Sequence, residues 1–215
     1  MPGYGGGVDA VALADYRERV ARMYLADTDL AAFRRARDEL FRTHPQSALP
    51  VADRAGFRGL PYFPETDTAR VVVSMAPVGP SPAETVEIDT GGEDGILRYR
   101  PMGVLDTPWG ELTLFWLQAY GGGLFLPFRD GTARSASGSR TYGGGRYLTD
   151  TVKGTFGRGL TFEAPDRVRL DFNYAYNPSC AYDADWACPL APPQNRLTAE
   201  IRAGELAYQD EPADS

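Results

Sequence analysis

One histidine, one lysine and two cysteines are all that 215 residues contain, and each scarcity closes a branch of chemistry. His44 alone cannot furnish a zinc site with two or three imidazoles, nor the two-histidine triad of non-haem iron enzymes. No metal and no cofactor are therefore expected. Valine precedes Lys153, so there is no GxxxxGK phosphate loop, and a Schiff-base mechanism would hang on that residue alone. Cys180 and Cys188 have seven residues between them, neither the two-residue spacing of redox dithiols nor half of a four-cysteine zinc set. Structural thiols, a loop-stapling disulfide and a nucleophilic or redox cysteine remain open.

Clustered positive charge is also missing. The formal net charge is −7, and the densest basic stretch is Arg34-Arg35 with Arg37, beside Asp38 and Glu39. That pattern reads as a solvated helix face, and nucleic acid is not an expected partner. No stretch approaches the ~18 apolar residues that cross a bilayer, and residues 1–7 lack the basic start and apolar run of a secretory signal. A cytoplasmic protein without a membrane partner is the simplest reading. Neither a GxSxG elbow nor a glycine cluster between a strand and a helix occurs, which disfavours serine hydrolases and dehydrogenases. Oligomeric state leaves no trace in the sequence.

What is present is ample apolar material, 43% hydrophobic and 12% aromatic, enough for one packed domain spanning residues 9–207. Residues 1–8 and the acidic 208–215 are expected to be flexible tails. Residues 9–44 have helical spacing. Leu13, Tyr16, Val20, Met23 and Tyr24 form one stripe, and Leu30, Phe33, Leu40 and Phe41 form a second after the capping residues Asp27-Thr28-Asp29. His44-Pro45 ends this stretch, where His44 suits the negative helix terminus as a cap or surface residue.

Residues 56–207 read as mostly β, with short apolar runs divided by Gly, Pro, Asp and Ser. Nine strands are expected, at 70–75, 85–88, 95–99, 111–119, 124–128, 146–148, 160–163, 168–172 and 199–202. Glycines at 121–123 and Asp130-Gly131 supply hairpin turns. The fold class is thus mainly β: an antiparallel barrel or strongly curved sheet or sandwich, with the N-terminal helices across one face. The run 111–120 is apolar on both faces, so it should be a central strand covered by those helices.

Residues 173–196 break the pattern. Prolines 178, 189, 192 and 193 forbid continuous strand or helix, while Tyr174, Tyr176, Tyr182, Trp186 and Leu190 carry too much apolar area for a disordered linker. A long ordered loop is expected, and such loops tend to be functional.

Several blocks carry a family likeness: Arg37-Asp38-Glu39-Leu40-Phe41-Arg42 with Pro45-Gln46-Ser47; Phe57-Arg58-Gly59-Leu60 with Tyr62-Phe63-Pro64; and Thr141-Tyr142-Gly143-Gly144-Gly145-Arg146-Tyr147-Leu148. The longest runs from Asp171-Phe172-Asn173-Tyr174 through Cys180-Ala181-Tyr182, Cys188-Pro189-Leu190 and Pro192-Pro193-Gln194-Asn195-Arg196-Leu197 to Ile201-Arg202-Ala203-Gly204-Glu205. Together they resemble the domain of unknown function 1684 family, over roughly residues 36–205. Ser135 to Arg140 departs from the shorter turn expected before Thr141. The resemblance implies membership and brings no activity with it.

Chemistry-bearing side chains gather in two segments. Around Tyr142, Gly144, Gly145, Arg146 and Tyr147, three glycines allow backbone N–H groups to converge on an anion beside a guanidinium; a hairpin approach shaped by packing is the alternative. In the long loop, Asp171, Asn173, Tyr176, Asn177, Cys180, Tyr182, Asn195 and Arg196 offer ligand contacts. An Asp171 pair with Arg146 or Arg196 could instead pin the loop. The leading expectation is a pocket between these segments for a small polar or anionic molecule. The alternatives are a small-substrate enzyme using Asp171 or Cys180, and a structural or interaction protein whose two segments satisfy each other. Whether the protein is an enzyme stays open at this level.

Overall fold

A computed structural model describes residues 7–78, 85–89, 95–135 and 140–208. The expected tails fall largely outside these, as do residues 136–139 within the departure from the family pattern. At the inner edges of the tails, Gly7 opens the first helix, and the Tyr208 ring lies 5.7 Å from Tyr182 and 6.2 Å from Phe57.

The two expected helices are α1 (Gly7–Leu25) and α2 (Leu30–Thr43). Asp29 separates them as predicted: its carboxylate accepts from the Ala32 N–H at 2.6 Å, capping the free donors of α2. His44 closes α2, its N–H donating to the Leu40 carbonyl. The expectation of a surface histidine needs correction, because the ring is buried. Its Nδ1 accepts from the Gln46 N–H, so Nε2 carries the proton and donates to Asp15 Oδ2 at 3.0 Å. A short α3 (Val51–Arg54) follows, unmarked by any periodicity.

Eight strands follow among the described residues: β1 (Arg70–Ala76), β2 (Val86–Asp89), β3 (Ile96–Thr107), β4 (Gly110–Leu117), β5 (Gly123–Phe128), β6 (Arg146–Asp150), β7 (Leu160–Ala164) and β8 (Arg167–Asp171). All pairs are antiparallel, in the order β6-β5-β4-β3-β1-β8-β7 with β2 on β3, and the sheet curls into a half-barrel. The curl has visible causes. Residues 70–74 of β1 pair with β8, whereas only Met75 and Ala76 pair with β3. β3 itself bulges between Pro101 and Gly103, and bulges bend and twist a strand. Those two residues also explain why β3 extends well beyond the expected 95–99: Pro and Gly divide the runs elsewhere, but here they sit in the bulge.

The ninth expected strand, 199–202, forms no ladder. Its backbone bonds go elsewhere: the Ala199 carbonyl accepts from Gly131 N–H and the Ile201 carbonyl from Arg146. Gly121 and Gly122 form the β4–β5 turn with φ of +84° and +55°, backbone that L side chains adopt at a cost. Asp130-Gly131 is no hairpin; Asp130 instead caps a 3₁₀ turn, Gly131–Arg134.

Leu112 and Leu114 point into the half-barrel with Leu105, Leu126, Phe128, Leu148, Leu170 and Phe172, forming the main core. Phe115 faces the other way and packs with Tyr99, Phe125, Tyr147 and Tyr176. Strand β4 is therefore doubly covered, as expected, but the cover differs. The α1 and α2 stripes pack on Tyr174 and Tyr182 of the long loop, which stands between helices and sheet.

Candidate functional site

The two segments singled out by the sequence do meet. Tyr147 and Tyr176 exchange backbone hydrogen bonds of 2.8 and 3.0 Å, and the Tyr147 hydroxyl donates to the Pro189 carbonyl at 2.5 Å. The loop is threaded with short 3₁₀ turns at Phe172–Tyr174, Ser179–Ala181 and Pro193–Asn195, which let a proline-rich chain satisfy its own backbone.

Arg146, however, turns away from any opening. Its Nη2 donates to Asp130 Oδ2 at 2.6 Å and the Ile201 carbonyl at 3.0 Å, and its Nη1 donates to the Ala203 and Glu205 carbonyls. The guanidinium is buried and pins the C-terminal segment to the sheet. The glycines beside it serve close packing. A Cβ on Gly145 would sit 2.7 Å from the Phe128 carbonyl oxygen, and one on Gly144 would meet the Tyr142 ring at 2.5 Å. The Gly145 N–H is taken by the Tyr142 carbonyl at 3.0 Å.

Four more candidates are likewise engaged with the protein. Asp171 receives Arg70 Nε at 3.0 Å, pairing with neither Arg146 nor Arg196. Asn173 bonds Asp171 and both backbone groups of Thr66. Asn195 is fully buried, accepting from Thr113 N–H and donating to the Thr113 and Pro127 carbonyls. Arg196 donates to the Ala191 carbonyl at 3.1 Å.

The remaining candidates lie where the loop meets the helices, around a buried ion pair absent from the sequence-based expectation. Arg37 on α2 donates to Glu205 Oε2 at 2.9 Å, and Tyr182 donates to Glu205 Oε1. Arg37 also stands 4.7 Å over the Phe41 ring and 5.2 Å over Tyr176. The Asn177 N–H donates to Glu205 Oε2, and its side-chain amide holds the Leu206 carbonyl. Tyr24 approaches Tyr176 with ring centroids 6.5 Å apart; Tyr62 bridges Glu205 through the backbone and carries Arg34 4.3 Å above its ring. Burial pushes the Tyr24, Tyr62, Tyr176 and Tyr182 phenols well up, so they stay neutral donors and acceptors. Burial opposes the Arg37 charge, but Glu205 beside it holds its pKa well above the ordinary value.

This seam is incompletely bonded. Among the described residues, eight buried side-chain atoms find no hydrogen bond within the protein: Tyr24 Oη, Tyr62 Oη, Tyr176 Oη, Asn177 Oδ1, Arg37 Nε, Arg34 Nε and Nη2, and Arg129 Nε. All but Arg129 belong to this one cluster.

Tyr176 also links the seam to a second group. The buried Asp150 carboxylate, the Lys153 ammonium and the two thiols lie close enough to influence one another electrostatically. The Cys180 N–H donates to Cys188 Sγ at 3.4 Å, and the Tyr142 hydroxyl donates to Cys180 Sγ at 3.5 Å. The Cys180 thiol donates to Cys188, so the Cys188 pKa falls, further lowered by Lys153, while that of Cys180 rises. Burial pushes the Asp150 carboxyl up, partly offset by Lys153 and two backbone N–H groups.

A family model described as a protein of unknown function, DUF1684, matches residues 55–206. This chain belongs to the DUF1684 family. A solution NMR structure of an uncharacterised protein from Haloarcula marismortui is 32% identical, covers 85% of this chain and 94% of its own, and superposes with a TM-score of 0.56. A search of curated proteins gave no match. The family match begins beyond α1 and α2, so Tyr24, Arg34 and Arg37 contribute to the seam from outside the matched DUF1684 region.

Sequence reasoning missed Arg37, Glu205, Lys153 and Asp150. Arg37 had one available signal, since it falls on the apolar stripe of α2 between Phe33 and Leu40 and is buried there. Glu205, some 168 residues away, had none.

Proposed function

We propose that this protein binds a small polar molecule in the seam between the N-terminal helices and the 173–196 loop. The contact atoms are the Tyr24, Tyr62 and Tyr176 hydroxyls, Asn177 Oδ1 and Arg37 Nε. One observation carries the reading: among the described residues, seven of the eight buried side-chain atoms without a well-formed hydrogen bond belong to residues of this seam. Leaving a buried polar group unpaired costs about 1–3 kcal/mol, so a fold that gathers seven in one place is built around something that bonds them. Neutral phenols offer donors and acceptors, the guanidinium offers a donor, and the amide oxygen accepts. A ligand with several hydroxyl, amide or carboxylate groups answers all of them. Tyr142, Tyr147 and Cys180 border this seam through Tyr176 and the thiol pair.

Arg146, Asp171, Asn173, Asn195 and Arg196 favour a structural role for their part of the surface, because their polar atoms engage the protein itself. Catalysis through Asp171 is the less supported alternative, given its ion pair with Arg70.

Thermal shift against a panel of small hydroxy acids, polyols and amides, paired with native mass spectrometry, tests the proposal. A compound that stabilises the wild type and loses at least half of its effect in Tyr176→Phe or Tyr62→Phe is expected. A panel without any stabilising compound, together with a native spectrum free of bound mass, overturns it.

A further inference from the structure

We infer that the molecule held in the seam is a small monocarboxylic acid with neutral polar groups, and that Arg34 grips its carboxylate. This rests on the seam reading above and names the class of ligand the seam takes. The Arg34 atoms without a hydrogen bond are Nε and Nη2. Those two nitrogens share one edge of the guanidinium, where their N–H groups point the same way and match the two oxygens of a carboxylate. The other terminal nitrogen, Nη1, donates to the Phe63 carbonyl at 3.2 Å, and the guanidinium lies 4.3 Å over the Tyr62 ring. Residues 61–63 are themselves laced to 204–206. The Phe63 N–H donates to the Gly204 carbonyl and the Leu206 N–H to the Pro61 carbonyl, both at 2.9 Å, with the Tyr62–Glu205 bridge between them. One hydrogen bond and one ring contact on a fixed backbone thus set the plane of the guanidinium, and its Nε–Nη2 edge is left preset for a planar partner.

No carboxylate of the described residues takes that edge. The three whose charge reaches Arg34 are Asp38, Glu65 and Glu205, and each is engaged elsewhere. Glu65 pairs with Arg70, Glu205 with Arg37 and Tyr182, and Asp38 accepts from the Leu60 N–H at 3.0 Å. The same three acids limit the charge of the guest. A monoanion neutralises Arg34, whereas a phosphate dianion brings a second negative charge against them. Position then orients the guest. Arg34 and Tyr62 are only partly buried, so the seam approaches solvent at their end, while Tyr24, Arg37, Tyr176 and Asn177 are buried. Arg34 precedes Arg37 by one turn of α2, about 4.5 Å along the axis. The carboxylate sits at the outer end, and hydroxyl or amide groups a few bonds away reach inward.

Isothermal titration calorimetry of the full-length protein with lactate, 3-hydroxybutyrate and gluconate, each beside its neutral amide, and with inorganic phosphate, tests the class. At least one acid should bind about tenfold or more tightly than its amide, the ratio a charge-assisted pair supports. Arg34→Lys keeps the charge but loses the fork, and should weaken that acid roughly tenfold; Arg34→Gln should bring acid and amide to equal affinity. An amide that binds as tightly as its acid, with both weakened by Tyr176→Phe, overturns the inference and leaves the seam reading standing. Phosphate binding more tightly than every acid does the same. If no acid or amide binds, both fail. The wild-type ratio of acid to amide decides even if Arg34→Gln folds poorly.

Discussion

Arg146 Nη2 meets Asp130 Oδ2 at 2.6 Å with neither side chain reaching solvent. The pair joins the start of β6 to the cap of the turn after β5, and the three C-terminal carbonyls on the same guanidinium tie residues 201–205 to that corner. Removing one partner strands a buried charge, so Arg146→Ala or Asp130→Ala should destabilise the protein by about 3–5 kcal/mol. Urea denaturation checks this. The two losses should be far from additive in the double variant, because each single variant already breaks the same bond.

Two tyrosines that touch should respond oppositely to loss of the hydroxyl. Tyr147 donates to the Pro189 carbonyl, so Tyr147→Phe should cost about 1 kcal/mol. Tyr176 Oη makes no well-formed hydrogen bond, although the Thr155 hydroxyl lies near it, so Tyr176→Phe should be neutral or slightly stabilising, within about 1 kcal/mol, in ligand-free protein. Parallel denaturation curves of the two variants give the comparison directly.

Asn195 makes three hydrogen bonds that tie the end of the long loop to β4 and β5. Asn195→Ala leaves two carbonyls and an N–H unpaired in the core, and should cost about 3 kcal/mol or more. Amide hydrogen exchange at Thr113 should rise in the variant before global stability fails.

In native protein the two thiols should differ in how their iodoacetamide alkylation rates depend on pH. The Cys180 thiol donates to Cys188 and Lys153 adds its charge, setting the Cys188 pKa to about 6. A lowered pKa means thiolate accumulates as pH rises through that value, so its rate should climb between roughly pH 5 and 7 and then level off. Cys180, whose pKa is raised, should show no such plateau in that range. The titratable groups facing the pair are Lys153, Asp150, Tyr142 and Tyr147.

Much of the fold was legible because it rests on local patterns. The α1 and α2 stripes, the Asp29 cap and the glycine turn after β4 each depend on residues within a few positions of one another. Failures came where tertiary partners override local preference. Pro101 and Gly103 are residue types expected to divide strands yet sit in a bulge of one long strand, and 199–202 reads as a strand yet spends carbonyls on Gly131 and Arg146. The site shows the same division. Tyr176, Asn177, Tyr182 and Cys180 were singled out because the proline-rich loop that carries them stands out locally. The Arg146 ion pair was not foreseen because its match, Asp130, resembles a turn residue, and Arg37 was passed over because Glu205 closes the pair across the whole chain.

The account depends most on the seam beside Arg37 and Glu205 holding a polar molecule, and a high-resolution crystal structure of natively purified protein tests that directly. Connected density larger than water, within hydrogen-bond distance of the Tyr24, Tyr62 and Tyr176 hydroxyls and Asn177 Oδ1, is the predicted result. Separate ordered waters, each completing one of those groups and unmoved by any stabilising compound in the crystal, would contradict it.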